Sequence, residues 1–466
     1  MNTFSLALRN LMRNRRRSLM TLFAMVLGLM AVLLFGGYIR DITYRLQSDY
    51  VQRTGHLQIQ HKGYFLYGSG NPAAYGMRNY EAIIAIVKTD PVLAPMVAVA
   101  TPTLQFGGIA GNFTTGVSRT IYASGIVVDD QNRMREWDDY DFRVPSRRLT
   151  LSGTTADSAV IGIGVARVLQ LCAALDVPHC PAFSEPASAA NGAALPDDIA
   201  ALATLTQADG PTGNIAARPR IEILAANSHG APNVAGVNVV RAEFQGVKEL
   251  DDVFVALHLQ QAQKLIFGND PPQVTAIALQ LRHTAQMPRA RARLDQVLTT
   301  TLKDVPLEIV DFETLNPFYG QTLTMFAAIF GFISVLIGAV VLFTISNTMS
   351  MAVVERTVEI GTLRAMGLRR RGIRRMFVAE AIMLGMIGSL LGVTMTLGVA
   401  WTIGQLGLTW TPPGRIEPVP LAVRVAGEHL MMWGSAIGLV VVASLSAILP
   451  AARASRMNIV DALRHV

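Results

Sequence analysis

The residue types that could do chemistry are concentrated in one stretch of the chain, residues 355–380. Its sequence, ERTVEIGTLRAMGLRRRGIRRMFVAE, holds seven arginines and three glutamates. Gly361 and Gly367 flank a short predicted helix, and the arginines within 369–375 suit a membrane surface. A short helix held at a lipid boundary is well placed to be moved by another molecule. The same pattern also fits a basic interfacial loop without that role.

Motifs of nucleotide-binding and hydrolytic sites are absent from the sequence. It contains no G-x-x-x-x-G-K-[ST] phosphate loop, no G-x-S-x-G elbow and no H-E-x-x-H zinc helix. The remaining His and Asp residues are scattered, and such residues are more often structural or on the surface. We therefore expect a protein that is not an enzyme, with no catalytic residue, metal or cofactor of its own.

Cys172 and Cys180 are the two cysteines of the chain. In an oxidising compartment we expect them to form a small-loop disulfide, and elsewhere they would be two free thiols. A metal site built from this pair and His179 would lack a fourth ligand.

Composition places the chain in a membrane. Of its 466 residues 51% are hydrophobic and 16% charged, against about 25% charged in an ordinary soluble domain. Four charge-poor stretches are long enough to cross the roughly 30 Å hydrocarbon core as helices. They are residues 18–39, 325–351, 381–403 and 430–452. The first is longer than a signal-peptide core and lacks a cleavage site, so we expect a permanent anchor.

Basic residues close to these spans predict the orientation. Segments 1–17, 355–380 and 453–466 together carry 15 arginines and four acids, whereas 40–317 carries 23 basic and 27 acidic residues. The positive-inside rule then puts both termini and the 355–380 loop in the cytoplasm, and 40–317 with the short loop 404–429 outside. The net charge of +7 records this topology and argues against a nucleic-acid partner.

The first 17 residues predict an amphipathic helix that lies in the cytoplasmic interface. Its apolar face would hold Phe4, Leu8, Leu11 and Met12, and its basic face Arg9, Arg13 and Arg16.

Residues 40–317 predict a large α+β domain. Strands are expected at 56–60, 97–106, 120–128, 159–163, 221–225, 236–244 and 274–282. Helices are expected at 80–87, 164–175, 249–266 and 287–302. An apolar stripe predicts that the first span continues as a stalk: Ile39, Ile42, Leu46 and Tyr50. Residues 173–218, rich in Ala, Pro, Gly and Ser, are expected to be a linker-like insertion.

Several motifs resemble one family. The run ERTVEIGTLRAMG, followed by Ile373, Phe377 and Glu380, resembles the coupling-helix region of the FtsX/MacB-like permeases, the type VII ABC transporters. LALRNLMRNRRRSLMT resembles that family's N-terminal segment, GHLQIQ the start of its periplasmic domain, and PAARASRMNIVDALR its ending. One span, a large outer domain and three further spans are also the family's layout, so the resemblance covers nearly the whole chain.

The resemblance implies a multi-pass permease of the bacterial inner membrane with a MacB-like periplasmic core domain. It would pair with a second copy or a paralogue and bind a separate ABC ATPase subunit that carries ATP and Mg. ATP-driven motion would pass to the periplasmic domain, a mechanism called mechanotransmission. Six residues would form the ATPase-coupling site: Glu355, Glu359, Gly361, Arg364, Ala365 and Gly367. Small polar residues in the spans would be packing contacts: Ser334, Thr344, Ser346, Asn347 and Ser389.

Lipoprotein-releasing permeases are closest in layout, which favours lipoprotein or lipid release or trafficking, with membrane lipid and a periplasmic lipoprotein as partners. The insertion at 173–218 departs from their pattern. Two alternatives stay open: a peptide or drug efflux permease with a periplasmic adaptor, and a force-transmitting signalling protein that activates wall hydrolases.

Overall fold

A computed structural model describes residues 15–142, 148–178, 180, 219–246, 248–411 and 418–457. The α-helices are α1 (Arg15–Thr54), α2 (Tyr64–Tyr67), α3 (Tyr80–Thr89), α4 (Val128–Arg135), α5 (Ile163–Val168), α6 (Lys248–Asp251), α7 (Leu259–Phe267), α8 (Met287–Thr300), α9 (Phe312–Leu315), α10 (Pro317–Glu355), α11 (Thr357–Ala365), α12 (Arg370–Leu406) and α13 (His429–Arg456). The strands are β1 (Leu57–His61), β2 (Val97–Asn112), β3 (Val117–Ile126), β4 (Ser158–Gly162), β5 (Arg220–Ala226), β6 (Pro232–Glu243), β7 (Phe254–His258), β8 (Ala276–Leu281), β9 (Leu307–Asp311), β10 (Thr409–Trp410) and β11 (Val419–Pro420).

Two compact units make up the chain. The helical unit contains α1 up to Gln47 together with α10 to α13, and the β unit runs from Ser48 to Asn316. Within the described residues, four helices are long and apolar enough to span a membrane, namely α1, α10, α12 and α13. The β unit falls between the first and second of them in the chain. The predicted fold class, four membrane helices with a large α+β domain between the first two, is confirmed.

Helix α12 packs closely against its neighbours through glycines. A Cβ on Gly385 would lie 3.1 Å from the Cα of Val440 in α13, and one on Gly392 would lie 2.8 Å from Leu29 Cδ2 in α1. Lipid gives no hydrophobic driving force for helix association, so close van der Waals contact between helices must replace it. Small residues on α12 allow that approach.

The end of α1 beyond the predicted span is fastened to the segment before α13. Tyr44 donates a 2.8 Å hydrogen bond to Glu428. The guanidinium of Arg424 lies over the Tyr44 ring, with Cζ 5.7 Å from the ring centroid. Arg40 pairs with the same Glu428 at 3.3 Å. The backbone N–H of Arg424 also bonds the carbonyl of Gly37 at 3.0 Å. These contacts tie α1 and α13 together within the helical unit.

The sheet of the β unit is organised around β2. Strands pair in the order β3-β7-β4-β6-β5-β2, and β2 also pairs with β3, so these strands form a closed circuit. The first part of β2, from Val97 to Thr103, pairs with β8, which leads on to β1 and β9. One long strand therefore joins the closed circuit to an open extension, and a single hydrophobic cluster runs through both.

The structure corrects several expected elements. The prediction of one helix at 249–266 is wrong. Helix α6 ends at Asp251, and Phe254–His258 form strand β7, which lies between β3 and β4 in the sheet, before α7 begins. The helical periodicity belongs to α7, and sheet pairing converts the apolar residues before it into a strand. The helix expected at 164–175 ends at Val168. Strand β9 was not expected from the sequence, and it is a short strand that pairs with β1.

The stalk residues are packed differently from expectation, and most of the insertion lies outside the described residues. Helix α1 does continue to Thr54, but the expected stripe residues are only half-buried. The side chains it buries in this stretch are Asp41, Gln47, Ser48 and Val51. The amphipathic helix expected at the N-terminus and the insertion from 181 to 218 lie outside the described residues.

His56 joins the end of α1 to the sheet within the β unit. Gly55 adopts φ +75°, and a Cβ there would lie 2.8 Å from the Leu279 carbonyl oxygen, so glycine lets the chain turn against β8. The buried His56 ring accepts a 3.0 Å hydrogen bond at Nδ1 from the Leu281 N–H. Its Nε2 lies 3.2 Å from Thr284 Oγ1. Burial lowers the pKa of His56 to about 4, against the opposing effect of the Asp139 charge.

The glycine packing predicts the effect of Gly392→Leu. The new side chain would collide with Leu29, so we expect α1 to be displaced and the monodisperse protein in detergent to fall severalfold in fluorescence-detected size-exclusion chromatography. Gly398→Leu is the matched control, because a Cβ at Gly398 meets nothing within 4 Å. Equal yields for both variants would contradict this packing.

His56 predicts an acid-dependent loss of stability. The unfolded chain protonates this ring near pH 6.5 and the folded chain only near pH 4, so the unfolded state binds more protons in that window and stability falls as pH falls. From pH 7 to pH 5 we expect a loss of about 2 kcal/mol from this group, measured by chemical unfolding in detergent. His56→Asn, which keeps an acceptor without a titrating ring, should lose correspondingly less over the same interval.

Candidate coupling site

Helix α11 lies between the ends of two membrane helices. Helix α10 ends at Glu355, and Arg356 leaves helical geometry at φ −101° and ψ 16° before α11 begins. At the other end, Gly367 has φ +96°, and the N–H of Leu368 bonds the Leu363 carbonyl at 3.0 Å. This is a glycine C-terminal cap that reverses the chain. It explains why the sequence can start α12 only three residues later.

One face of α11 belongs to the core of the helical unit. Thr357, Ile360 and Gly361 are buried. Ile360 shares a hydrophobic cluster with Ile373 and Phe377 of α12. A displacement of α11 therefore cannot occur without disturbing the packing of α12.

The opposite face of α11 is exposed. It holds side chains spaced one helical turn apart: Val358, Glu359, Thr362, Ala365 and Met366. An exposed basic cluster follows at the start of α12: Arg369, Arg370, Arg371, Arg374 and Arg375. The result is a short mixed apolar and acidic surface beside a strongly basic one.

The residues expected to couple to an ATPase divide between these two faces. Glu355, Glu359, Ala365 and Gly367 are exposed, whereas Gly361 is buried. Arg364 is half-buried, and its Nη1 donates to the backbone carbonyl of Met457 just after α13. The sequence grouped these residues by motif, and the helix separates them by orientation.

The last membrane helix contributes to this region, which the sequence did not predict. Besides the bond from Arg364, the Nε of Arg374 donates to Ser455 Oγ at 3.1 Å. Ala454 and Met457 pack in the same cluster as Ile360. The start of α12 and the end of α11 are thus both held by the end of α13.

A buried ion pair is the second feature that sequence reasoning missed. Arg356 Nη1 lies 3.3 Å from Glu380 Oε2, and their side chains are 5% and 6% exposed. Both residues stand inside the motif that resembles the permease family. Their partnership across 24 positions is not visible in any local pattern, because it depends on how the turn at Arg356 folds back against α12.

The cysteines lie in the β unit, after α5. Cys172 and Cys180 form a disulfide with their Cα atoms 6.2 Å apart. Among the described residues no cluster of three or more His, Cys, Asp or Glu side chains is arranged to hold a metal ion.

Comparison with known proteins matches residues 328–459 to the family described as FtsX-like permease C-terminal. This range holds most of α10, all of α11 to α13, and every residue of the exposed α11 face. The part of the chain that carries α11 therefore matches a family of permease domains. This match, together with relatives named MacB and ABC transporter permease, supports the FtsX/MacB-like type VII ABC permease that the motifs predicted.

Three curated relatives illustrate the similarity. The macrolide export ATP-binding/permease protein MacB of Bdellovibrio bacteriovorus is 28% identical over 231 residues, 47% of this chain and 32% of that protein. The pyoverdine export ATP-binding/permease protein PvdT of Pseudomonas putida is 29% identical over 201 residues, 41% of this chain and 29% of that protein. The uncharacterized ABC transporter permease YvrN of Bacillus subtilis is 29% identical over 207 residues, 43% of this chain and 46% of that protein. The chain thus spans about a third to a half of these relatives' length.

The link between Arg364 and Met457 predicts faster local opening in Arg364→Met. Loss of a charge-assisted hydrogen bond should weaken the hold on α11 by about 1.4 kcal/mol, so its amides should exchange hydrogen about tenfold faster. Arg371→Met is the control, because Arg371 is an exposed arginine in the same cluster. If the two variants exchange α11 amides at the same rate, the link does not hold the helix.

Proposed function

We propose that this chain is the membrane subunit of an ABC transporter that works by mechanotransmission. In this proposal α11 is the coupling helix, and a separate ATPase subunit seats on its exposed face. The observation that carries the proposal is the two-sided character of α11, which is packed into the helical core through Ile360 and open on the side of Glu359 and Ala365. In such a helix, a displacement caused by a protein bound to the exposed face is passed to the residues packed against the buried face.

The source of energy in this proposal lies on another polypeptide. The chain has no phosphate-loop motif, and relatives such as MacB are named as ATP-binding/permease proteins. These names support an ATP-driven system, and the proposal assigns ATP and Mg to a partner ATPase. A second copy or a paralogue would complete the membrane dimer.

The proposed location is the bacterial inner membrane, with both termini and α11 on the cytoplasmic side and the β unit in the periplasm. The support is the arginine content of the segments around α11 and the termini, together with the acidic balance of 40–317. The disulfide between Cys172 and Cys180 fits an oxidising compartment for the β unit.

Polar side chains of the membrane helices support motion rather than a polar pathway. Thr344 donates to its own helix at the Val340 carbonyl, and Ser389 donates both to Gly385 and across to Ala436 of α13. Hydroxyl groups satisfied in this way pack helices together.

The cargo has two candidates. Lipoprotein or lipid release is favoured by the layout, with acylated protein extracted from the inner membrane and a periplasmic lipoprotein as partner. Export of a small molecule or peptide through a periplasmic adaptor is favoured by the names of MacB and PvdT, which are export proteins. Native purification with mass spectrometry would separate them: acylated protein or lipid enriched with the complex supports release, and a co-purifying adaptor without lipid enrichment supports export.

Ala365→Arg tests the ATPase seat. A bulky charge on the exposed face of α11 should leave the fold intact and reduce co-purification of the ATPase at least tenfold, a loss of about 1.4 kcal/mol in binding. Ala292→Arg, at an exposed alanine of α8 in the β unit, is the matched control. Undiminished co-purification with Ala365→Arg would exclude α11 as the seat, and the absence of any ATPase with the wild type would refute the proposed function.

A further inference from the structure

The buried pair between Arg356 and Glu380 stands at the joint between three helices. Arg356 is the residue that separates α10 from α11, and its carbonyl accepts the hydrogen bond of Ile360 N–H at 2.9 Å. Its guanidinium Nη1 lies 3.3 and 3.5 Å from the two carboxylate oxygens of Glu380. One residue therefore begins α11 through its backbone and contacts α12 through its side chain.

Buried apolar residues flank both members of the pair along the chain. Ala352 and Val353, the helical turn before Arg356, are buried, as are Phe377 and Ala381 on either side of Glu380. Taking two charges into such surroundings costs solvation, and buried pairs of this kind are often replaceable by well-packed apolar residues without loss of stability. A gain in stability therefore does not explain why two charged residues occupy this position. A need to fix the geometry of α11 relative to α12 does explain it.

Glu380 is connected onward through α12. Two turns further along this helix, a Cβ on Gly388 would lie 3.2 Å from Met25 Cβ of α1. Gly392, one turn beyond, contacts Leu29 of the same helix. A rigid path of packed helix therefore leads from Arg356 through Glu380 and α12 to α1.

We infer that Arg356 and Glu380 are a positioning pair that sets the angle of α11 and passes its displacement to α12 and α1. This inference rests on the proposed function and deepens it. The exposed face of α11 would receive the ATPase, and the buried pair would decide which membrane helix that motion reaches. Neither residue touches the ATPase in this arrangement, so the pair affects coupling and not assembly.

Four full-length variants test the inference together with the purified ATPase. Arg356→Met and Glu380→Leu each remove one charge of the buried pair and should lower the apparent Tm by roughly 5 °C or more. The double variant R356M/E380L should restore the Tm to near wild type and keep the ATPase bound. We nevertheless expect its permease-dependent stimulation of ATP hydrolysis to fall at least tenfold. The reversed pair R356E/E380R, which keeps two opposite charges, should recover part of the stimulation.

A second readout needs no ATPase. Both native cysteines are in the disulfide, so spin labels can be placed at Thr362→Cys on α11 and Leu445→Cys on α13, both exposed positions. In R356M/E380L the distance distribution between the labels should broaden or shift by roughly 5 Å, about one helical turn.

The outcomes separate the two proposals. Stimulation within twofold of wild type in R356M/E380L, or an unchanged label distance, overturns the positioning pair and leaves the proposed function standing. Failure of the wild-type chain to bind any ATPase overturns the proposed function, and the label distance then still decides whether the pair positions α11.

Discussion

The helical unit depends on the close approach of α12 to its neighbours. In a bilayer, apolar side chains gain little by leaving lipid for each other, so helices associate where their backbones can come near and pack without gaps. Gly385 gives α12 that contact with α13, and Gly388 and Gly392 give it with α1. Helix α12 thus holds α1 and α13 at these glycines, while α10 packs against α13 and against Gly28 of α1.

The candidate coupling site is a consequence of that arrangement. Helix α11 is short and would be marginal by itself, yet Ile360 anchors it in the same cluster as Phe377. The end of α13 holds it from a second side through Arg364. Because packed interiors transmit strain, a displacement of α11 would also disturb α12 and α13, as the proposed coupling role requires.

The β unit obeys different physics. Its strands bury a continuous hydrophobic cluster, and water supplies the driving force that lipid does not. Strand β2 belongs to both parts of the sheet, and His56 hydrogen-bonds the backbone of β8 where α1 ends. Helix α1 is continuous from Arg15 to Thr54 and contributes residues to both units, so the polypeptide itself links the membrane helices to the sheet.

The sequence by itself determined the membrane helices, because a run of apolar residues long enough to cross hydrocarbon has few other stable states. It also carried the resemblance to the permease family that matches residues 328–459, since the motif around Glu359 and Gly367 is local and contiguous. The sequence did not distinguish strand β7 from the helix that follows it. Phe254–His258 form a strand because β3 and β4 lie on either side and pair with them. Only the tertiary structure decided which motif residues face outward and that Arg356 meets Glu380. Those facts depend on how distant segments pack, and a sequence pattern reports neighbours along the chain rather than neighbours in space.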